Sequence, residues 1–269
     1  MGFSFVFGII QDQRGFIWLA GAEGVSRYDG YEFLTLSHQP NDSLSLYENY
    51  ITGMVLAPDG DIWLAHYRGK ISVLNPQTLK VRRIDVPEAG GSTIGRLFFD
   101  SKKRLWLYIA GKGLHEHVQQ NGKDVFIPWG PLSNMPEGAT SSQISVYQGI
   151  TTIHEDEQHQ IWLGTNNGLY RLDESKKKIV YASPASHRKV ENAFIHNILP
   201  QGDSVFWLTS YGEGIIRYNR ITGEHTSYLF EKGFRGTHNV IYSAVWKNDE
   251  EILFHNNGLA SFNTRTRQF

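Results

Sequence analysis

The sequence predicts an all-β protein made of repeated four-stranded antiparallel sheets, and three observations predict it. An apolar-Trp-Leu triplet recurs as Ile17-Trp18-Leu19, Ile62-Trp63-Leu64, Leu105-Trp106-Leu107, Ile161-Trp162-Leu163 and Phe206-Trp207-Leu208, with Ile252-Leu253-Phe254 holding a sixth slot. The indoles lie 45, 43, 56 and 45 residues apart, so the 269-residue chain is an array of units of about 45 residues. The chain is also rich in turn formers and strand formers, with 27 Gly, 7 Trp, 13 Tyr and 15 Phe, and no segment sustains helical periodicity.

Each unit can be justified element by element. A first apolar stretch, such as Val6 to Ile10, Ile51 to Leu56 or Ile195 to Leu199, reads as a strand. A tight polar turn follows, as in Gln11-Asp12-Gln13-Arg14-Gly15, Pro58-Asp59-Gly60 or Glu155-Asp156-Glu157-Gln158. The Trp triplet is the second strand. Five to seven residues after the Trp position a glycine opens the third, as Gly24, Gly168 and Gly214 do. A further turn such as Arg220-Ile221-Thr222-Gly223 leads to the fourth, for example His225 to Leu229.

Six four-stranded sheets in series are the pattern of a β-propeller, a ring of blades packed face to face. The expected blades are residues 1–36, 51–84, 94–127, 149–182, 194–230 and 240–269 of one domain spanning 1–269. A blade has a neighbour on both faces, so its middle strands are apolar throughout. Trp18, Trp63, Trp106, Trp162 and Trp207 are then structural wedges between blades, each burying roughly 150–250 Å². Gly24, Gly168 and Gly214 are structural too, supplying positive φ or close backbone approach at the hairpin.

The repeat resembles the two-component regulator propeller of hybrid sensor histidine kinases. The resemblance is carried by Gln11-Asp12-x-x-Gly15-Phe16-Ile17-Trp18-Leu19 and by Ile161-Trp162-Leu163-Gly164-Thr165-Asn166-Asn167-Gly168-Leu169, and it extends over essentially the whole chain. Ala20-Gly21 and Ala65-His66 depart from the usual Gly-Thr, and the sixth unit lacks Trp. The resemblance implies a periplasmic location, seven blades per propeller, and a parent chain with a second propeller, an immunoglobulin-like module, a membrane helix, a kinase core and a DNA-binding regulator. On that reading the present chain is a six-blade fragment truncated at both ends.

Composition bounds the function. A net charge of -1 speaks against non-specific nucleic-acid binding, which requires a basic face. The longest apolar run, Phe3 to Ile10, is eight residues, well short of a membrane span. Met1 leads into strand-like sequence with no leader peptide read before it. The absence of cysteine excludes disulfides and thiolate chemistry.

No motif indicates catalysis, and no cofactor or metal is expected. His154-Glu155-Asp156-Glu157-Gln158-His159 resembles a zinc-protease motif, but its second His is one residue late and the segment reads as a solvated hairpin turn. His115-x-His117 places two imidazoles on one strand face without a third ligand nearby in sequence. Asp12, Asp59, Asp100 and Asp156 all fall in first-hairpin turns, where Asp caps its own backbone.

A binding rim can be placed instead. The loops between second and third strands share an edge with the inter-blade loops Ser37 to Tyr50, Pro87 to Thr93, Pro128 to Tyr147, Ser183 to Ala193 and Glu231 to Asn239. The candidate ligand-binding residues there are His66, Tyr67, Arg68, Lys112, Asn166, Asn167, Tyr211, Glu213, His255 and Asn256. Aromatic faces beside polar groups suit an oligosaccharide. The leading expectation is a sensor of a polysaccharide breakdown product that controls transcription of utilisation genes. The alternatives are a scaffold docking a protein or a second copy of the chain, and a propeller enzyme such as a lyase or lactonase.

Overall fold

The computed structural model describes residues 5–129, 149–182, 193–230 and 239–269. Strands follow one another as simple meanders. Blade 1 is β1 (Val6–Gln11), β2 (Ile17–Gly21), β3 (Gly24–Tyr28) and β4 (Phe33–Leu36); blade 2 is β5 (Ile51–Leu56), β6 (Ile62–His66), β7 (Lys70–Leu74) and β8 (Val81–Asp85). Blade 3 is β9 (Ile94–Phe99), β10 (Leu105–Ile109), β11 (Gly113–Gln120) and β12 (Lys123–Pro128); blade 4 is β13 (Ile150–Glu155), β14 (Ile161–Thr165), β15 (Gly168–Asp173) and β16 (Lys178–Tyr181). Blade 5 is β17 (Phe194–Gln201), β18 (Val205–Tyr211), β19 (Ile215–Asn219) and β20 (His225–Tyr228). Blade 6 is β21 (Ser243–Asn248), β22 (Glu251–His255) and β23 (Leu259–Asn263), after which Gln268 alone pairs back to Asn263 where a fourth strand would begin. The fold is a β-propeller, with a 3-10 turn at Pro87–Ala89 as the one helical element among the described residues.

The chain divides into two compact units, Met1–Trp129 with blades 1–3 and Gly130–Phe269 with blades 4–6. In the first, Trp18 packs against Ile62 and Leu64 of the next blade, and Trp63 against Leu105 and Leu107. In the second, Trp162 packs against Phe206 and Leu208, and Trp207 against Ile252 and Phe254. Every residue of β6, β10 and β14 is buried, as sheets covered on both faces require. Gly214 shows why the third strand opens on glycine: φ is +63°, and a Cβ there would lie 2.3 Å from the Tyr228 carbonyl oxygen.

The first hairpin turn does more than reverse the chain. Asp12 accepts the Arg14 and Phe16 N–H groups through Oδ1, at 2.9 and 3.0 Å, and the buried Trp18 indole N–H through Oδ2 at 2.8 Å. Asp100 and Asp156 bind Trp106 and Trp162 in the same way, at 2.9 and 2.7 Å. In blade 5, Gln201 Oε1 takes the Trp207 N–H at 2.8 Å. In blades 1, 3 and 4 the aspartate six residues before the Trp therefore joins turn to wedge.

Two expectations need correction here. Asp59 does cap its own turn, its Oδ1 accepting the Asp61 N–H at 3.1 Å, but it is not equivalent to the other three: backbone bonds from Ala57 N to Asp61 O and from Gly60 N to Ala57 O match those of the Asp12 turn, so Ala57 stands at the Asp12 position. Residues 154–159 are not one solvated turn either. His154 and Glu155 lie on β13, His154 sets its ring edge-on to Phe206 at 5.6 Å, and Asp156 is buried against Trp162 and the Arg220 guanidinium. The cause is register, because the turn begins two residues later than its polar composition suggests.

Losing a buried acceptor and a turn cap together is expensive. Asp12→Ala is expected to cost about 2–4 kcal/mol, whereas the exposed Asp59→Ala stays within ~0.5 kcal/mol. Urea denaturation of the two variants checks this, and equal losses would contradict the assignment.

Candidate functional site

The site is built from a bulge repeated along the first strands. In β1, β5, β9, β13 and β17 the pairing with the second strand skips one residue, respectively Phe7, Thr52, Gly95, Thr151 and His196. A bulge re-aims its extra side chain. Thr52 and Thr151 use it to donate their hydroxyls to the Ile94 and Ile195 carbonyls of the following blade. At Phe7 and His196 the bulge carries a ring instead.

Each ring starts an aromatic cluster within its own unit. Phe7 stands 5.6 Å from Tyr50, which meets Tyr67 at 5.4 Å, and Phe5 stacks on Phe7 at 6.3 Å. All four rings are exposed, and Arg68 lies beside them with its N–H on Glu48 Oε1 at 2.9 Å. In the second unit Tyr211 faces Phe194 at 6.3 Å, Phe194 meets His196 at 4.6 Å, and His196 leads through Tyr242 to His255 at 6.1 and 5.8 Å. Tyr211, Tyr242 and His255 are exposed. Backbone bonds from Tyr67 N to Tyr50 O and from Tyr242 N to His255 O tie each second-to-third loop to the start of a first strand.

The candidates named from sequence are distributed unevenly over this geometry. Tyr67 joins the first cluster, with the exposed Arg68 next to it in the chain; Tyr211 and His255 join the second, and Glu213 is an exposed neighbour in the Tyr211 turn. His66 is fully buried, its Nε2 2.8 Å from Ser72 Oγ, and Asn256 is buried with neither amide atom hydrogen-bonded among the described residues. Neither side chain is presented to solvent, because both follow the second strand inward rather than out with the loop. Lys112 is exposed but gives its ammonium to the Glu88 carbonyl at 2.7 Å. Asn166 and Asn167 are half-buried and belong to neither cluster. Inter-blade residues 130–148, 183–192 and 231–238 lie outside the described residues. Phe7, Tyr50, Phe194, His196 and Tyr242 are absent from the candidates read from sequence; an aromatic at the head of a first strand was their only signal.

The two histidines of His115-x-His117 already have partners on their own sheet. His115 is buried with Nδ1 3.2 Å from the Gly113 carbonyl, and His117 Nε2 binds Asp124 Oδ1 at 2.8 Å. No group of three or more ligating side chains occurs among the described residues. No helix among them is long and apolar enough to cross a membrane.

Comparison with known proteins fits this architecture. Residues 146–167 match the family model described as two component regulator propeller. The extracellular domain of a protein described as a hybrid two component system from B. thetaiotaomicron superposes with a TM-score of 0.71 at 17% identity, over 97% of this chain and 35% of that one. PorZ, described as an essential surface component of the type-IX secretion system of Porphyromonas gingivalis, gives 0.78 at 13% identity over 98% and 39%. A virginiamycin B lyase from Staphylococcus aureus gives 0.65 at 16% identity over 95% and 79%. At these identities the likeness is one of fold, and the chain spans about a third of the length of the hybrid-system domain. No match to the chain is found among curated proteins.

Burial pushes the His66 imidazole down to about 3 from its usual 6.5, and it lowers His115 and His154 as well. Below pH ~6.5 the unfolded chain takes a proton at His66 that the folded chain refuses, so stability falls as pH drops. From pH 7.5 to 5 the His66 share is about 2 kcal/mol. His66→Gln is expected to lose that share of the acid dependence in urea melts at pH 7.5 and 5; an unchanged dependence would assign it to other groups.

Proposed function

We infer that the chain is the extracytoplasmic, periplasmic ligand-sensing propeller of a hybrid two-component sensor histidine kinase, and that its rim receives a polysaccharide breakdown product. The observation that carries this reading is the aromatic clustering at the bulged strand heads. Exposed rings offer flat apolar faces for the C–H faces of sugars, and Arg68 and Glu213 beside them offer polar groups that set orientation. The regulator-propeller repeat supports the sensor context. On this reading the second propeller and the membrane-linked kinase region of the parent chain are its working partners, transcription of utilisation genes is the output, and this segment performs no reaction.

A second reading, a scaffold that docks a protein or another copy of the chain, is favoured by one observation: blade 1 leaves Ile9, Phe33 and Leu34 exposed at 64%, 46% and 39%. The lyase reading draws only on the likeness of fold.

Calorimetric titration of the complete ectodomain with a panel of oligosaccharides tests the proposal. A saccharide should bind, and Tyr67→Ala or Tyr242→Ala should weaken it about tenfold with little change in melting temperature, since one stacked ring contributes about 0.5–1.5 kcal/mol. No saccharide ligand, together with a specific protein partner in pull-downs, would replace sensing with the scaffold.

A further inference from the structure

At the other end of β6, away from the aromatic rim, blade 2 breaks the rule that the other wedges obey. Its turn has Ala57 at the acceptor position, and the Trp63 indole N–H has no hydrogen-bond partner among the described residues. Trp63 is nevertheless not sealed: at 6% exposure it borders a cavity of about 370 Å³ between blades 2 and 3. Phe99 and His117 form aromatic walls, with ring centroids 6.0 and 5.2 Å from the indole and both edge-on to it. Lys103, held at φ +62° in the next blade's turn, lines the same cavity, and its ammonium makes no ion pair among the described residues.

The donor set is therefore an unpaired indole N–H and an unpaired ammonium, with ring faces between. A similar cavity between blades 4 and 5 lacks this character. There Arg171 and Arg220 line the walls, but the Trp162 indole N–H is already taken by Asp156, so no indole donor is left for a ligand. We propose that the Trp63 cavity is a binding site for a ring-bearing carboxylate, whose carboxyl group takes the place of the missing aspartate side chain. One carboxylate oxygen accepts the Trp63 N–H, the group pairs with Lys103, and the ring lies among Trp63, Phe99 and His117. Asp59 also lines the cavity, on an exposed turn where solvent screens its charge. The site stands at the opposite end of β6 from Tyr67 and the aromatic cluster of its own unit, so its occupancy and saccharide binding at that cluster are separately measurable.

Titration of the full chain with sodium benzoate and sodium glucuronate, beside benzyl alcohol and glucose, tests the proposal by calorimetry and tryptophan fluorescence. At least one carboxylate should bind saturably, and more tightly than its neutral counterpart by about tenfold or more, as expected for a charge-assisted contact. Which of the two binds separates an aromatic acid from a sugar acid. Ala57→Asp restores the repeat's own acceptor, so it should abolish binding while keeping or raising the melting temperature. Lys103→Gln, on an exposed turn, should weaken the carboxylate about tenfold without altering the neutral compound. Absence of saturable carboxylate binding, or binding indifferent to both substitutions, would overturn the site.

Discussion

The buried hydrogen bond from an indole N–H to the side chain six residues before it is the constraint on which blades 1, 3, 4 and 5 depend. Trp is the largest side chain available to fill the space between two sheets, yet burying its N–H without a partner would be costly. The aspartate of the first hairpin turn removes that cost and caps the turn with its other oxygen. One residue thereby fixes the turn, the rotamer of the wedge and the register of the second strand. Gln201 performs the indole half of this task in blade 5 with an amide oxygen, which shows that an acceptor, rather than a charge, is what the indole requires.

Blade-to-blade cohesion then follows from the same geometry. Trp18, Trp63, Trp162 and Trp207 each meet second-strand apolar residues of the following blade, and bulged threonines link neighbouring first strands through a carbonyl. Buried ion pairing is spent sparingly: Arg220 closes on Asp156 and the Asp203 carbonyl, reinforcing an acceptor already committed to Trp162. Two breaks in the pattern matter more than its regularity. Ala57 leaves an indole unsatisfied beside open space, and aromatic side chains at two bulges turn a packing position into an exposed surface.

Some of this was legible in the residues. The Trp triplet and the glycine that follows identify second and third strands, because strand alternation, turn chemistry and repeat length are all local properties. The same locality explains the errors. Asp59 resembles its neighbours in composition, but the turn is counted from the backbone bonds of Ala57, which composition does not reveal. His66 reads as the first residue of a polar loop, whereas the strand carries it one position further, into contact with Ser72.

What the sequence by itself determined is the number and order of the blades, the identity of the wedges and the turns that punctuate them; these arise within units of about 45 residues and need no partner. Tertiary structure alone decided which rings meet, which candidates face water and where a cavity opens. Those outcomes depend on the direction in which a bulged or loop side chain points and on what the adjacent blade places opposite it, and neither is encoded at any single position.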